Sequence, residues 1–260
     1  VTKLDIAVSV QDLKKSYGTL EALKGLTFEI KSGEIYGLLG PNGAGKTTTI
    51  KILMGLLKPN GGNVNVLGYD PQEDPISVKQ LVGYVPEEIT LFDSLTPNEF
   101  FEFIASIRKI DSLVAIRRTQ ALMEALDAVQ YVNKPIATLS HGNRQKVAIV
   151  SAILHDPQLL ILDEPFSGID ALSIKVIQEM IKSFVKSGKT VLFSTHIMKM
   201  AESLCTRIGI INEGILIAEG SMDELKQKSD ETDLESVFLK LTEQEEDVSE
   251  RLDLIRGAFS

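Results

Sequence analysis

The nine consecutive residues Gly40, Pro41, Asn42, Gly43, Ala44, Gly45, Lys46, Thr47 and Thr48 satisfy the spacing GxxxxGK[ST]. Glycines at these steps let successive backbone N–H groups turn inward onto phosphate oxygens. The positive end of a following helix adds to that attraction. Lys46 is then placed to reach the β- and γ-phosphates, and Thr47 to put its hydroxyl on Mg²⁺. This chemistry needs a strand before the loop and a helix after it. The apolar run 34–39 and the helical apolar spacing of 47–57 supply both. A nucleoside triphosphate site is expected, although the loop alone does not separate a kinase, a GTPase, a motor and a transporter engine.

Five other places carry chemistry-bearing side chains. Asp163 and Glu164 close the apolar strand 159–162, at the strand end where parallel sheets hold ligands. Strand alternation sends the two carboxylates different ways, so that one can bind a metal and the other face a water; a chance surface pair is the competing reading. Glu87 follows the strand 82–85 and either ligates Mg²⁺ or its water or is a solvated loop carboxylate. His196 follows the strand 190–194 and either donates to a γ-phosphate or makes a structural hydrogen bond. In the run 139–145, Ser140 fits a helix N-cap and Gly142 permits close backbone approach, which suits an anion as well as an ordinary capped helix. Tyr17, at the tip of a turn-like stretch before the phosphate loop, either stacks on an adenine ring or packs.

The elements that must position these groups alternate strand and helix from residue 34 onward. Strands 5–11 and 25–31 precede the loop, and a third, 63–67, completes a small β-rich layer. From Thr96 and Pro97, a good N-cap and first-turn pair, to about 131 the pattern is helical, with Phe100, Phe101, Ile104 and Ile107 making one apolar side. Helices are expected over 75–81, 147–154, 171–187 and 197–204, with short ones over 221–228 and 234–242, and a hairpin joins strands 207–211 and 215–218. The fold class is therefore α/β, with a mainly parallel sheet, an antiparallel layer near the N-terminus and an all-helical insertion over about 89–156. The domain expectation is a nucleotide-binding body over 1–228 and an acidic extension over 229–260, read as solvated in preference to a docking element.

The 260 residues are 43% hydrophobic, enough for a large core. The net charge is −9, and ten acidic against three basic residues between 229 and 260 place −7 of it there. The body is thus nearly neutral and offers no basic stripe, which argues against nucleic acid as a partner. No apolar run approaches the roughly 18–20 residues of a membrane span, and the N-terminal residues lack a secretory pattern, so the expectation is a protein that stays inside the cell. Cys205 is the one cysteine and is expected to be a buried, inert thiol. His141, His155 and His196 are too scattered for a metal site by spacing. No internal repeat is visible, so one nucleotide site per chain is expected.

In order, these motifs resemble an ATP-binding cassette (ABC) subunit, over about residues 4–228. Residues 40–47 are similar to its Walker A loop, 159–163 to the Walker B strand, 167–170 to the D-loop, and His196 to the switch histidine. Most telling is 139–145, which resembles the ABC signature, an element other P-loop families lack. There the chain has His141 for the first glycine of LSGGQ and Asn143 for its glutamine, and Glu87 stands for the Q-loop glutamine. With 84–88 and the tail 234–241, these departures resemble the ATPases of ABC-2 type exporters. The resemblance implies that two cassettes, as a homodimer or heterodimer, sandwich two ATP molecules, Ser140, Gly142 and Asn143 of one facing the phosphates held by the other. It implies Mg²⁺ at Thr47, Glu87 and Asp163, Glu164 as general base, and His196 on the γ-phosphate. It also implies adenine stacking on Tyr17 and a separate membrane permease as partner, at the cytoplasmic face of the membrane. The rival is a soluble ABC ATPase of DNA maintenance or translation. Only about a hundred residues separate the two half-sites, too few for the long coiled coil of the former, and one cassette per chain is not the pattern of the latter.

Overall fold

Ile35–Leu39 forms β3, and all five of its residues are buried. A strand covered on both faces reads as an unbroken apolar run, and the side chains then alternate between two cores. Leu159–Asp163 (β6) and Thr190–Thr195 (β7) behave the same way. Leu160, Leu162, Val191 and Phe193 enter one hydrophobic cluster, whereas Leu159, Ile161 and Leu192 enter the other. The computed structural model describes residues 5–229 and 231–242, so the acidic stretch 243–260 lies outside the described residues.

Six strands make the central sheet. Val82–Val85 (β5), β6, β7, β3 and Arg207–Asn212 (β8) run parallel in that spatial order, and Ile215–Gly220 (β9) closes the edge antiparallel to β8. The register pairs Leu39 with Thr195, Asp163 with Ser194 and Val85 with Leu162. The carboxyl ends of β3, β5, β6 and β7 therefore share one edge, where open parallel sheets present their ligand crevice. A second sheet of Ile6–Tyr17 (β1), Leu20–Lys31 (β2) and Gly61–Val66 (β4) is antiparallel in the order β2-β1-β4. Both hairpin strands run longer than their apolar cores, because backbone pairing carries them to a two-residue turn at Gly18 and Thr19 and places Tyr17 at the end of β1. Lys46–Leu53 (α1) and Pro75–Leu81 (α2) complete this half.

The helical insertion holds Pro97–Arg108 (α3), Ser112–Ala125 (α4) and His141–Ile153 (α5). Thr96 and Glu99 form a reciprocal capping box with Pro97 in the first turn, which fixes where α3 begins. Phe100 and Phe101 are buried as expected, but Ile107 is 60% exposed. The inward stripe of α3 runs through Pro97, Phe101 and Ala105, leaving Ile107 on the outer side near the helix end.

Ala171–Lys186 (α6) and Met198–Leu204 (α7) follow β6 and β7. Met222–Ser229 (α8) and Leu234–Leu241 (α9) end the described chain. The solvated-extension reading does not hold for α9. Its Leu234, Val237 and Phe238 are buried with Ala201 of α7, Ile208 and Ile210 of β8 and Leu225 of α8, and Asp233 caps its start. The short helix expected over 234–242 is present, but the acidic composition that spoke for solvation is outweighed by its apolar face.

Candidate active site

The phosphate loop leaves β3 and enters α1 at Gly45, whose φ of 109° lies where a side chain would be strained. A Cβ there would also lie 2.8 Å from the Ala22 carbonyl oxygen, so β2 can back the loop closely. Gly45 caps α1 without a side-chain bond, and the N–H groups of the first turn are left to face an anion. The β8–β9 turn braces the loop, with Gly214 N donating to Ala44 O at 3.0 Å and Lys24 N to Gly214 O at 3.0 Å. Lys46 is buried, and its ammonium donates to the carbonyls of Gly40 at 2.8 Å and Pro41 at 3.1 Å. Burial lowers its pKa, opposed by the charges of Glu164, Asp163 and Glu87.

Asp163 is wholly buried at the end of β6. Its Oδ1 accepts from Ser194 Oγ, while Oδ2 has no hydrogen-bond partner. Burial raises its pKa, against the Ser194 hydroxyl that donates to it. Thr47 Oγ1 donates to Glu87 Oε2 at 3.2 Å, which brings the residue after β5 onto the first turn of α1. An unpaired buried carboxylate oxygen is costly unless a cation balances it. Asp163, Thr47 and Glu87 offer only hard oxygen donors, a set that fits Mg²⁺. Among the described residues no three His, Cys, Asp or Glu side chains cluster to hold a metal unaided.

Glu164 departs from the expected strand alternation. Its φ is 48°, so the chain turns left-handed immediately after β6 while Glu164 N still bonds Ser194 O at 3.2 Å. A non-glycine residue there costs about 1–3 kcal/mol, a cost that clusters at functional sites. The twist brings the carboxylate under the phosphate loop: Oε1 lies 2.8 Å from His196 Nδ1 and 4.0 Å from Lys46 Nζ, and Oε2 accepts from Thr195 Oγ1 at 3.0 Å. The Glu164 side chain is only 11% exposed, against 55% for His196. The two carboxylates thus do face different surroundings, through a backbone turn and not through pleat alternation. Ser194 and Thr195, which orient them, were not singled out from the sequence. Their signal was two hydroxyls closing an otherwise apolar strand beside another strand that ends in acids.

Ser140 caps α5, accepting from Asn143 N at 3.4 Å. Ser140, Gly142, Asn143, Tyr131, Lys146 and Asp170 line a cavity of about 330 Å³ that no residue of the phosphate loop reaches. The structure therefore gathers Lys46, Thr47, Glu87, Asp163, Glu164 and His196 in one place and leaves Ser140, Gly142 and Asn143 in another. Tyr17 is 47% exposed, with Lys15 Nζ 5.3 Å from its ring centre, so its aromatic surface is available at the hairpin tip. Cys205 is half-buried, with Sγ packed against Gly37 where no Cβ would fit, and desolvation pushes its thiol pKa well up. A larger cavity of about 660 Å³ lies between α3 and α4, lined by Phe101, Ala105, Ile110 and Met123, away from all of this chemistry.

The family described as ABC transporter matches residues 23–167. The linearmycin resistance ATP-binding protein LnrL of Bacillus subtilis is 38% identical over 218 residues, 84% of this chain and 70% of that protein. The Nod factor export ATP-binding protein I of Cupriavidus pinatubonensis is 34% identical across 100% of this chain and 77% of its own length. A solved ATP-binding subunit of an ABC transporter superposes with a TM-score of 0.86 at 32% identity, covering 91% of this chain and 99% of that one.

Proposed function

The chain belongs to the ABC transporter family as an ATP-hydrolysing subunit that energises a separate permease, and from that premise we propose how its side chains divide the work. Lys46 and the N–H groups of residues 43–48 hold the phosphates of ATP, and Tyr17 stacks on the adenine. Thr47, Asp163 and Glu87 would hold Mg²⁺, which when bound would neutralise charge developing on the phosphates. Glu164 accepts the proton of the attacking water. His196 bridges Glu164 and the γ-phosphate. Since Nδ1 already faces the Glu164 carboxylate, only the doubly protonated ring donates from both nitrogens at once.

Two such chains, identical or not, close on two ATP molecules, each offering Ser140, Gly142 and Asn143 to the phosphates held by the other. The names of the two relatives, a resistance protein and an export protein, support an exporter, working at the cytoplasmic face of a membrane through its permease. Among the described residues no helix is long and apolar enough to cross a membrane.

The observation that carries this reading is the placement of one Glu164 oxygen between the Lys46 ammonium and the His196 ring. Phosphate release from ATP by the purified chain tests it. Wild type should turn over, and Lys46→Ala should lose both nucleotide affinity and turnover. Hydrolysis by Lys46→Ala at the wild-type rate would refute the assignment.

A further inference from the structure

The first turn of α5 rests directly on the loop 167–170. A Cβ on Gly142 would lie 2.4 Å from Gly168 O, and one on Gly168 would lie 2.6 Å from Cδ2 of His141. The imidazole that replaces the family's glycine thus covers Gly168. Five residues into α5, Lys146 is 6% exposed and its ammonium makes two contacts, donating to Leu126 O at 2.9 Å and reaching Asp170 Oδ2 at 3.2 Å. It joins three segments: the end of α4, the start of α5 and the loop that runs on from Glu164 into α6.

The Asp170 arm of that contact is more than local capping. Asp170 already accepts from Ser173 N at 2.8 Å and Ser173 Oγ at 2.7 Å, which satisfies the start of α6. Those two bonds, with Lys146 adding to them, hold its carboxyl far below the usual range. A carboxylate held in place by Ser173 therefore faces a buried ammonium. The loop bearing Asp170 begins three residues after Glu164, so the position of the base and the position of the α5 start are tied through one ion pair.

We infer that Lys146 is a positioning residue that, through Asp170, locks the ATP-facing start of α5 to the loop leading from Glu164. This rests on the reading of α5 as the half-site for the opposite chain's ATP. Each chain then carries its two half-sites, which serve different ATP molecules, on one rigid link, and closure at one is felt at the other.

The test compares wild type with Lys146→Met, Lys146→Arg, Asp170→Asn and the Met/Asn double variant in the full chain. ATP affinity of the isolated chain is read with a fluorescent ATP analogue, and kcat and KM by phosphate release. Lys146→Met keeps the apolar stem and removes the charge, so kcat should fall at least about tenfold while analogue affinity stays within about twofold. Lys146→Arg, which restores the charge, should recover kcat to within about threefold of wild type. The double variant should be no worse than Lys146→Met, because both remove the same link. Asp170→Asn keeps an acceptor for Ser173 and should lower kcat without a fall in melting temperature, which covers the case of a poorly folding Lys146→Met. A wild-type kcat in Lys146→Met, no recovery in Lys146→Arg, or multiplied losses in the double variant would overturn the inference while leaving the ATPase reading intact. A wild-type chain that does not hydrolyse ATP would overturn both.

Discussion

Glu164 Oε1 lies 2.8 Å from His196 Nδ1, across the gap between the ends of two adjacent parallel strands. Neither residue belongs to its strand proper. β6 ends at Asp163 and β7 at Thr195, and the next residue of each leaves the ladder and turns toward the other. The strained φ of Glu164 is what makes the approach possible. A carboxylate so placed accepts a proton from water only if it remains a carboxylate. Glu164→Gln should therefore bind ATP within about threefold of wild type and lose about 10²–10⁴ in turnover, the usual worth of a general base. Phosphate release checks the loss, and size exclusion with ATP should show a stabilised dimer.

The bond from Thr47 Oγ1 to Glu87 Oε2 spans 3.2 Å and joins the first turn of α1 to the segment entering the helical insertion. Glu87 is exposed and contributes nothing to the core. If it ligates Mg²⁺ or orders a ligating group, Glu87→Ala should raise the Mg²⁺ concentration for half-maximal hydrolysis by about tenfold. Nucleotide affinity without metal should change little. A titration of ATPase rate against Mg²⁺ separates the two, and an unshifted midpoint would remove Glu87 from the metal.

His155 gives the fold a pH dependence remote from the active site. Its Nε2–H donates to Val82 O at 3.2 Å, and its Nδ1 is buried with no partner, so protonation would bury an N–H without an acceptor. Burial, joined by the positive charge of Arg108, lowers its pKa to about 4 from the ordinary 6.5. Between those values the unfolded chain binds the extra proton and the folded chain does not. The stability is thus complete above pH 6.5 and is lost as pH falls toward 4, at about 1.4 kcal/mol per unit. Urea unfolding at pH 6.5 and pH 5 should differ by about 2 kcal/mol, and His155→Gln should flatten the difference. Between pH 6.5 and 5 the depressed acids Asp156 and Asp170 stay ionised in both states, whereas Asp163, raised by burial, acts in the opposite direction, so the comparison with His155→Gln isolates the histidine.

The parallel sheet, the phosphate loop and the acids at the end of β6 were legible because each is written within one short stretch: an apolar run of strand length, glycines at fixed steps, polar residues at a strand's carboxyl end. What escaped depends on contacts between distant stretches. The left-handed turn at Glu164 leaves no mark in composition, since glutamate is not a residue that asks for positive φ. The Lys146–Asp170 pair joins residues 24 positions apart, with β6 running between them. For α9 the helix itself was legible over 234–242, but its acidic surroundings spoke for solvation, and only the packing with α7, α8 and β8 shows what Leu234, Val237 and Phe238 cover.

The separation of Lys46 from Ser140 leads to the last prediction. Lys46 lies at the sheet edge among Glu164 and the loop carbonyls, whereas Ser140 opens onto a cavity that the phosphate loop does not line. A site needing both must draw them from two chains. A Lys46→Ala chain cannot hold phosphates, and a Ser140→Arg chain blocks the start of α5, so each homodimer has two damaged sites and should be inactive. In the mixed dimer both lesions fall in one site and the other is intact. Mixing the purified variants in equal amounts yields about half mixed dimers, each with one of two sites whole, so roughly a quarter of the wild-type rate should return if the sites turn over independently. Mixed dimers that form with ATP, seen by size exclusion, yet restore no phosphate release would show that the sites are not shared in this way or do not act independently.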